Sequence, residues 1–240
     1  MFPIRDTVRT YSFPVVNWLI IIVSAIVFLY EGSLSNHAFN RLMLNYGLVP
    51  DRLNISNPLL LILHPLRLLP LATHIFLHGS WFHFLSNMWT LFIFGDDVED
   101  RLGSGRYLAF YLISGAAAGL LQALVSSQSR LPAIGASGAI AGVLGAYFVL
   151  YPRSRVVTLI LIFIFPWFVE LPAVLYLAIW FITQLVAGVS MFSQTAVIGG
   201  VAWWAHIGGF LFGMFFHQFF KPKVHPALSQ NFPEQFPPTP

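Results

Sequence analysis

Gly135-Ala136-Ser137-Gly138 opens a run of small and apolar residues that continues to Tyr151. A helix over 137–151 would be about 22 Å long at about 1.5 Å per residue, which is shorter than the ~30 Å hydrocarbon core of a bilayer. If Arg153 marks one membrane surface, Ser137 begins its helix below the other, and the non-helical backbone before it lies at membrane depth. Such backbone is tolerated only inside protein or beside a water-filled cavity. The stretch therefore predicts a serine in a wet pocket within a membrane, although small residues by themselves also serve helix packing.

The composition is that of an integral membrane protein. Of the 240 residues, 57% are hydrophobic and 9% are charged, whereas a soluble domain averages about 25% charged residues. The formal net charge of +3 is spread along the chain without a Lys/Arg block, so no nucleic-acid partner is expected. The chain has no cysteine, which excludes disulfides, thiol chemistry and thiolate metal sites.

Apolar segments predict an all-α polytopic bundle of six transmembrane helices. A cytoplasmic N-terminus over 1–13 precedes a six-helix domain over 14–220, and a Pro-rich tail over 221–240 is expected to be disordered. The predicted spans are 14–30, 78–95, 107–125, 137–151, 173–191 and 205–220.

Two segments outside these spans have patterns of their own. Residues 39–46 have the composition of a short amphipathic helix that lies at the membrane interface. Residues 156–169 are strongly apolar, but they number only 14 and contain Pro166. Their length favours an interfacial or re-entrant segment over a seventh span.

The distribution of Lys and Arg predicts the orientation in the membrane. With six spans, the larger group of basic residues falls on one side and comprises Arg5, Arg9, Arg101, Arg106, Arg153, Arg155, Lys221 and Lys223. The smaller group falls on the other side and comprises Arg41, Arg52, Arg67 and Arg130. Both termini are therefore predicted to be cytoplasmic. The expected location is a prokaryotic plasma membrane, with the pocket at Ser137 open to the outside.

Four polar side chains reach similar depths in this arrangement. At ~1.5 Å per residue, Ser137 lies about 22 Å above the cytoplasmic end of its span, His206 about 21 Å above the end of its own and His83 about 20 Å. Asn87 lies one turn deeper than His83. Polar residues inside spans are costly and by default mark functional sites. We therefore expect these side chains to form one site.

Small residues next to Ser137 and His206 predict that their helices pack closely. His206 shares a helix face with Gly209 and Gly213, and Ser137 shares one with Ala141 and Gly145. Close packing would bring the imidazole within hydrogen-bond reach of the hydroxyl, which is the arrangement of nucleophile and base in covalent catalysis.

The acidic residues limit the mechanism, because none of the nine carboxylates lies inside a predicted span. A Ser-His-Asp triad would need Glu31 or Asp51 to fold down from the first loop, so a Ser–His dyad is favoured. The chain also lacks a His-Glu-x-x-His motif, and zinc hydrolysis normally needs a carboxylate base. His74 and His78, spaced i, i+4, are a weaker metal-binding alternative to a structural role. We expect neither a metal nor another cofactor.

Three separate motifs together resemble those of the rhomboid intramembrane serine proteases. They are Gly135-x-Ser137-Gly138, Ala205-His206-x-x-Gly209 and a second-span pattern that includes Thr73, His78, His83 and Asn87. Residues 94–100 and 199–203 match the family as well, and the resemblance covers roughly 13–220.

The resemblance implies a role for each matching residue. Ser137 would be the nucleophile and His206 its general base, while His83, Asn87 and the Ser137 N–H would form the oxyanion hole. His78 would be a structural histidine that ties the first loop to the second span. The glycines of the matching motifs, Gly135, Gly138 and Gly209, would be structural.

The resemblance also implies how substrates are handled. The fifth span would border a gate for a substrate helix, and residues 192–204 would cap the site. Substrates would be single- or multi-span proteins of the lipid bilayer whose spanning helix unwinds readily near a small residue. The expected reaction is peptide-bond hydrolysis through an acyl-enzyme.

Two positions depart from the family pattern. An aromatic residue often follows the serine by one turn and supports the histidine ring, but here the residue is Ala141. A Trp-Arg pair often precedes the second span, but here the matching residues are Leu69-Pro70, with Arg67 nearby.

Two other functions stay open as alternatives. One is a proteolytically silent rhomboid-like protein that binds or escorts membrane clients; such proteins usually lack the serine or the histidine. The other is a small transporter, which would show paired charges or broken helices in repeated halves.

Overall fold

The computed structural model of the protein describes residues 2–53, 64–162, 165–191 and 201–222, with the backbone alone at 161 and 162. The predicted cap over 192–204 lies outside the described residues except at 201–204. The predicted disordered tail over 221–240 lies outside them except at 221–222.

The elements follow one another along the chain as β1 (Phe2–Asp6), α1 (Val15–Ser33), α2 (Asn36–Tyr46), α3 (Pro50–Leu53), α4 (Pro70–Thr73), α5 (Trp81–Leu102), α6 (Ser104–Val125), α7 (Ser137–Leu150), β2 (Arg155–Ile162), β3 (Phe165–Pro172), α8 (Ala173–Ser190) and α9 (Trp203–Phe216). Short 3-10 turns lie at Pro65–Leu68, His74–Phe76 and His217–Phe220.

Each predicted span overlaps one of the long helices, α1 or α5–α9. By length and composition, α1, α6 and α8 are able to cross a membrane, and α7 is a shorter apolar helix. The chain is therefore a mostly helical membrane protein. The amphipathic segment predicted at 39–46 lies within α2, which begins earlier because the Ser35 hydroxyl accepts the N–H of Ala38.

Helix α5 continues past the predicted end of the second span at Gly95 and takes in the acidic stretch 96–100. The reason lies in α1, whose first turn has no side-chain cap of its own. Glu99 accepts the N–H groups of Val16 and Asn17 at 3.0 and 2.7 Å. A carboxylate at the positive end of a helix satisfies amides that have no partner inside it. The charges predicted to follow the span thus join two helices.

A three-stranded antiparallel sheet corrects the all-α prediction. Its order is β1-β2-β3, with Phe2 opposite Leu159 and Val157 opposite Glu170. The segment 156–169, predicted as interfacial or re-entrant, forms most of the hairpin β2–β3. Its β-branched residues fit a pleated strand, and the N-terminus, predicted as a plain cytoplasmic segment, supplies the third strand.

The sheet is fastened to the helices through β1. The Trp89 indole N–H on α5 donates to the Pro3 carbonyl at 2.7 Å, and its ring stacks on Phe2 with centroids 5.8 Å apart. At the other end of β1, the Tyr147 hydroxyl on α7 donates to the Asp6 carboxylate at 2.5 Å. The N-terminal strand is therefore part of the folded bundle.

Helices α7 and α9 pack backbone against backbone. A β-carbon added at Gly209 would overlap the Gly138 carbonyl oxygen, and one added at Gly213 would overlap the Gly142 carbonyl oxygen. On α7, a β-carbon at Gly145 would overlap the backbone of Phe210. The predicted close packing of these helices is confirmed, and Gly142 takes part in it as well.

We expect Gly213→Ala to destabilise the protein strongly. The added methyl meets a backbone oxygen that cannot move aside, and overpacking of this kind typically costs about 1–3 kcal/mol. Thermal unfolding in detergent should show a lower melting temperature. The control is Gly105→Ala on α6, where the added carbon has nothing within 4 Å and a helical alanine is favoured over glycine. Equal melting temperatures for the two variants would contradict the role of the contact.

Candidate active site

The loop before Ser137 is held in a conformation that only glycine adopts readily. Gly135 has φ 119°, and its N–H donates to the His74 carbonyl at 2.9 Å. Helix α7 begins two residues later, at Ser137. Gly135 therefore has a backbone conformation that favours glycine, and the Ser137 side chain lies at a helix N-terminus.

Ser137 and His206 form a hydrogen bond across the α7–α9 contact. Ser137 Oγ and His206 Nε2 are 2.8 Å apart, and both residues are half-buried. The two residues predicted as nucleophile and base are therefore brought together as expected. The bond has the length at which a hydroxyl and an imidazole can exchange a proton.

Gln184 contacts the other nitrogen of the same imidazole. Its Oε1 lies 2.8 Å from His206 Nδ1, and the residue, on α8, is only 7% exposed. Gln184 is not among the site residues predicted from the sequence. The signal that could have found it was present, because Gln184 is a polar residue in the middle of the predicted span 173–191.

Aromatic rings from two helices flank His206. Trp180 on α8 and Trp203 on α9 lie 6.0 and 5.9 Å from the imidazole, between ring centroids. Ala141, where the family pattern often has an aromatic residue, is fully buried and faces Gly209 instead. Here the ring support comes from α8 and α9, and α7 keeps a small residue at the helix contact.

His83 and Asn87 lie one turn apart on α5 and both face the loop at Gly135. A β-carbon placed on Gly135 would lie 2.5 Å from His83 Nε2 and 3.6 Å from Asn87 Nδ2. Asn87 is 7% exposed, and its amide nitrogen has no hydrogen-bond partner among the described residues. The first N–H groups of α7 also have no acceptor within their helix. Several donors therefore gather around the start of α7.

His78 lies beside this group but in a different environment. It is fully buried, and its backbone N–H donates to the Glu31 carboxylate at 3.2 Å. Its ring packs edge-on against Phe28 and Phe84, with centroids 6.4 and 5.4 Å apart. The residue thus joins the end of α1 to the segment that leads into α5.

The two carboxylates that could have completed a triad lie elsewhere. Glu31 accepts from His78, and Asp51 pairs with Arg130 at 3.5 Å on an exposed surface. His74, which was paired with His78 in the metal-binding alternative, forms a hydrogen bond between its ring Nδ1 and the Pro70 carbonyl. Within the described part of the chain, no group of three or more His, Cys, Asp or Glu side chains is suited to hold a metal ion.

The second departure from the family pattern, Leu69-Pro70, lies where α4 begins. The loop is anchored there by Thr73, whose hydroxyl donates to the Tyr46 carbonyl at 2.7 Å. Arg52 Nη1 donates to the Leu44 carbonyl at 2.5 Å. Side-chain bonds to backbone carbonyls therefore hold this connection in the absence of the Trp-Arg pair.

The site thus consists of a serine at a helix N-terminus that is hydrogen-bonded to an imidazole, inside the helical bundle of a membrane protein. The family model for the Rhomboid domain matches residues 65–222, which include Ser137, His206 and the rest of the site. The chain belongs to the rhomboid family.

Several curated proteins are similar to the chain over part of their length. RHOMBOID-like protein 5 of Arabidopsis thaliana is 41% identical over 76 residues, which are 32% of this chain and 25% of that protein. Rhomboid protein 1, mitochondrial, of Saccharomyces cerevisiae is 35% identical over 95 residues, which are 38% and 26%. Human presenilin-associated rhomboid-like protein, mitochondrial, is 29% identical over 154 residues, which are 61% and 36%. The chain thus spans well under half the length of these relatives.

We expect His78→Ala and Asn87→Ala to differ in stability. His78 fills a fully buried space between aromatic rings, so its loss leaves a cavity that typically costs about 2–5 kcal/mol. Asn87 Nδ2 has no hydrogen-bond partner to lose among the residues that the structure describes, so Asn87→Ala should melt close to the wild type. Thermal unfolding in detergent measures both. A larger loss for Asn87→Ala than for His78→Ala would show that Asn87 holds helices together.

Proposed function

We propose that this protein is an intramembrane serine endopeptidase that cleaves membrane-protein substrates in or near their transmembrane helices. The observation that carries the proposal is the 2.8 Å hydrogen bond between Ser137 Oγ and His206 Nε2. Membership of the rhomboid family supports it. The amide nitrogen of Asn87 beside the same loop supports it too, because it is buried and has no hydrogen-bond partner within the described part of the chain.

The reaction would proceed by acyl transfer to water. As Ser137 Oγ attacks the peptide carbonyl carbon, His206 Nε2 takes the hydroxyl proton. The carbonyl oxygen becomes an oxyanion, which the Asn87 amide, His83 and the Ser137 N–H would stabilise. The C–N bond then breaks, and His206 gives its proton to the leaving amine. Water hydrolyses the acyl-enzyme by the same steps in reverse and restores the serine. No cofactor takes part in this scheme.

The proposed arrangement in the bilayer has six spans with both termini in the cytoplasm. The Tyr147–Asp6 and Tyr151–Asp97 hydrogen bonds bring the segments that carry Arg5, Arg101 and Arg153 together at one end of the bundle. The Asp51–Arg130 pair lies at the other end, on the side where α7 begins. The active site would open to that second side. Two of the similar proteins are named as mitochondrial, so these relatives give no support to a prokaryotic plasma membrane in particular.

A silent, client-binding rhomboid-like protein is the competing function. Proteins of that kind usually lack the serine or the histidine, whereas here both are present and bonded to each other. Assays of cleavage and of labelling at Ser137 distinguish the endopeptidase from the silent, client-binding protein.

Ser137→Ala and His206→Ala should each abolish cleavage of a panel of single-span substrates in detergent. The double variant should be no worse than either single one, because the two residues act as a unit. Asn87→Ala should lower kcat by roughly 10²–10³-fold, since a donor to the oxyanion is lost. A chelator should have no effect.

A fluorophosphonate probe makes the same test independent of the substrate. It should label the wild type covalently and leave folded Ser137→Ala unlabelled. Cleavage by Ser137→Ala at the wild-type rate would contradict the serine mechanism. A folded wild type that neither cleaves the panel nor takes the probe would instead favour the silent alternative.

Cysteine labelling at the two ends of α6 should report the orientation. Gly105 and Ser127 are both exposed and lie at opposite ends of this helix, and the natural chain has no cysteine to give background. An impermeant thiol reagent applied to intact cells should label Ser127→Cys directly and Gly105→Cys only after permeabilisation. The opposite result would invert the protein in the membrane.

A further inference from the structure

We infer that Gln184 is a positioning residue that fixes the tautomer of His206, so that the imidazole nitrogen facing Ser137 is the unprotonated one. The inference rests on the proposed function, because it concerns the base of the same reaction. It begins from contacts on α8 that lie outside the family motifs.

The orientation of the Gln184 amide follows from its own helix. Its Nε2 lies 3.2 Å from the Trp180 carbonyl oxygen and 3.0 Å from Thr183 Oγ1. A carbonyl oxygen can only accept, so the amide NH₂ must face it. Thr183 Oγ1 donates its proton to the same carbonyl at 2.6 Å, which leaves its lone pairs to accept from Nε2. A flipped amide would place two acceptors against each other, so Oε1 must point to His206.

The orientation of the amide determines the tautomer of the imidazole. Oε1 can only accept, and it lies 2.8 Å from His206 Nδ1, so Nδ1 carries the proton. In a neutral imidazole Nε2 is then unprotonated and accepts the Ser137 hydroxyl proton. This is the tautomer that a general base needs, whereas the other would present an N–H to the serine.

Gln184 performs this task without a charge. A carboxylate in this position would both orient the imidazole and stabilise the imidazolium, but Glu31 and Asp51 are engaged elsewhere. A neutral amide supplies the orientation alone and avoids the cost of an ion at membrane depth. Orientation is therefore the part of the carboxylate's role that this site retains.

A purely structural role would have a different signature. Only five of the 18 residues of α8 are buried in the bundle. In a purely structural role, Gln184 would serve as a link that holds α8 against α9. Loss of such a link would lower the melting temperature and weaken substrate binding. If Gln184 instead fixes the tautomer with Nδ1 protonated, its loss would lower turnover and the reactivity of Ser137, while substrate binding and stability would be kept.

The experiment compares Gln184→Met, Gln184→Glu and the wild type in detergent. Methionine has a similar length but a thioether in place of the amide acceptor, whereas glutamate keeps an acceptor for Nδ1–H and loses the N–H group that faces the Trp180 carbonyl. The matched control is Gln218→Ala, which changes an exposed glutamine in the 3-10 turn after α9. The measurements are kcat and KM on a cleaved substrate, the rate of fluorophosphonate labelling across pH, and the melting temperature.

Gln184→Met should lower kcat and the labelling rate by about 10- to 100-fold, which is the loss typical when the hydrogen-bond partner that orients a metal-bound histidine is removed. KM and the melting temperature should stay near the wild-type values. Gln184→Glu should recover much of the lost rate, and the acid limb of its pH profile should move to higher pH, since the added negative charge favours the imidazolium. Gln218→Ala should match the wild type throughout.

Two results would overturn the inference. One is a wild-type kcat and labelling rate for Gln184→Met. The other is an equal loss of rate for Gln184→Met and Gln184→Glu that follows their melting temperatures, which would assign Gln184 a structural role. A wild type that takes no fluorophosphonate would instead refute the proposed function itself, so the two failures are distinguishable.

Discussion

The contact between the backbones of α7 and α9 is the constraint on which the site depends. Lipid tails are as apolar as the helix surfaces, so association within a bilayer relies on close van der Waals packing and on polar bonds between helices. Here Gly209 and Gly213 lie directly against carbonyl oxygens of α7. Without that approach a hydroxyl and an imidazole on neighbouring helices could not stand 2.8 Å apart. The glycines that hold the fold together therefore also set the geometry of the reacting pair.

The site combines this rigid pair with groups that are each fixed by backbone atoms. The loop before Ser137 is held by the bond from the Gly135 N–H to the His74 carbonyl, and the Gln184 amide is held by the Trp180 carbonyl. Neither anchor introduces a charge. In a membrane, where an isolated ion is expensive, hydrogen bonds to the backbone can direct a histidine at lower cost than a buried carboxylate.

At the end of the bundle opposite the Ser137–His206 pair, carboxylates and the sheet hold the helices together. Glu99 accepts the first amides of α1, and Asp100 accepts the backbone N–H of Ser12 at 2.9 Å. The strand β1 is bonded to α5 through Trp89 and to α7 through Tyr147. The N-terminal residues thus connect helices that also carry site residues, and they contribute to the fold as fully as the spans do.

The sequence by itself determined the helices of the six apolar segments and the meeting of Ser137 with His206, because helical period, small-residue spacing and depth are local properties of a chain. It did not determine the sheet, since Phe2 and Leu159 pair although they lie far apart in the chain, and a length criterion for apolar segments considers helices alone. The sequence shows a polar residue at Gln184, but it does not show which residue Gln184 contacts. Which polar groups face each other across three helices depends on their rotation and packing distance. Only the tertiary structure could therefore decide that an amide on α8, and not Glu31 or Asp51, completes the hydrogen bonding of His206.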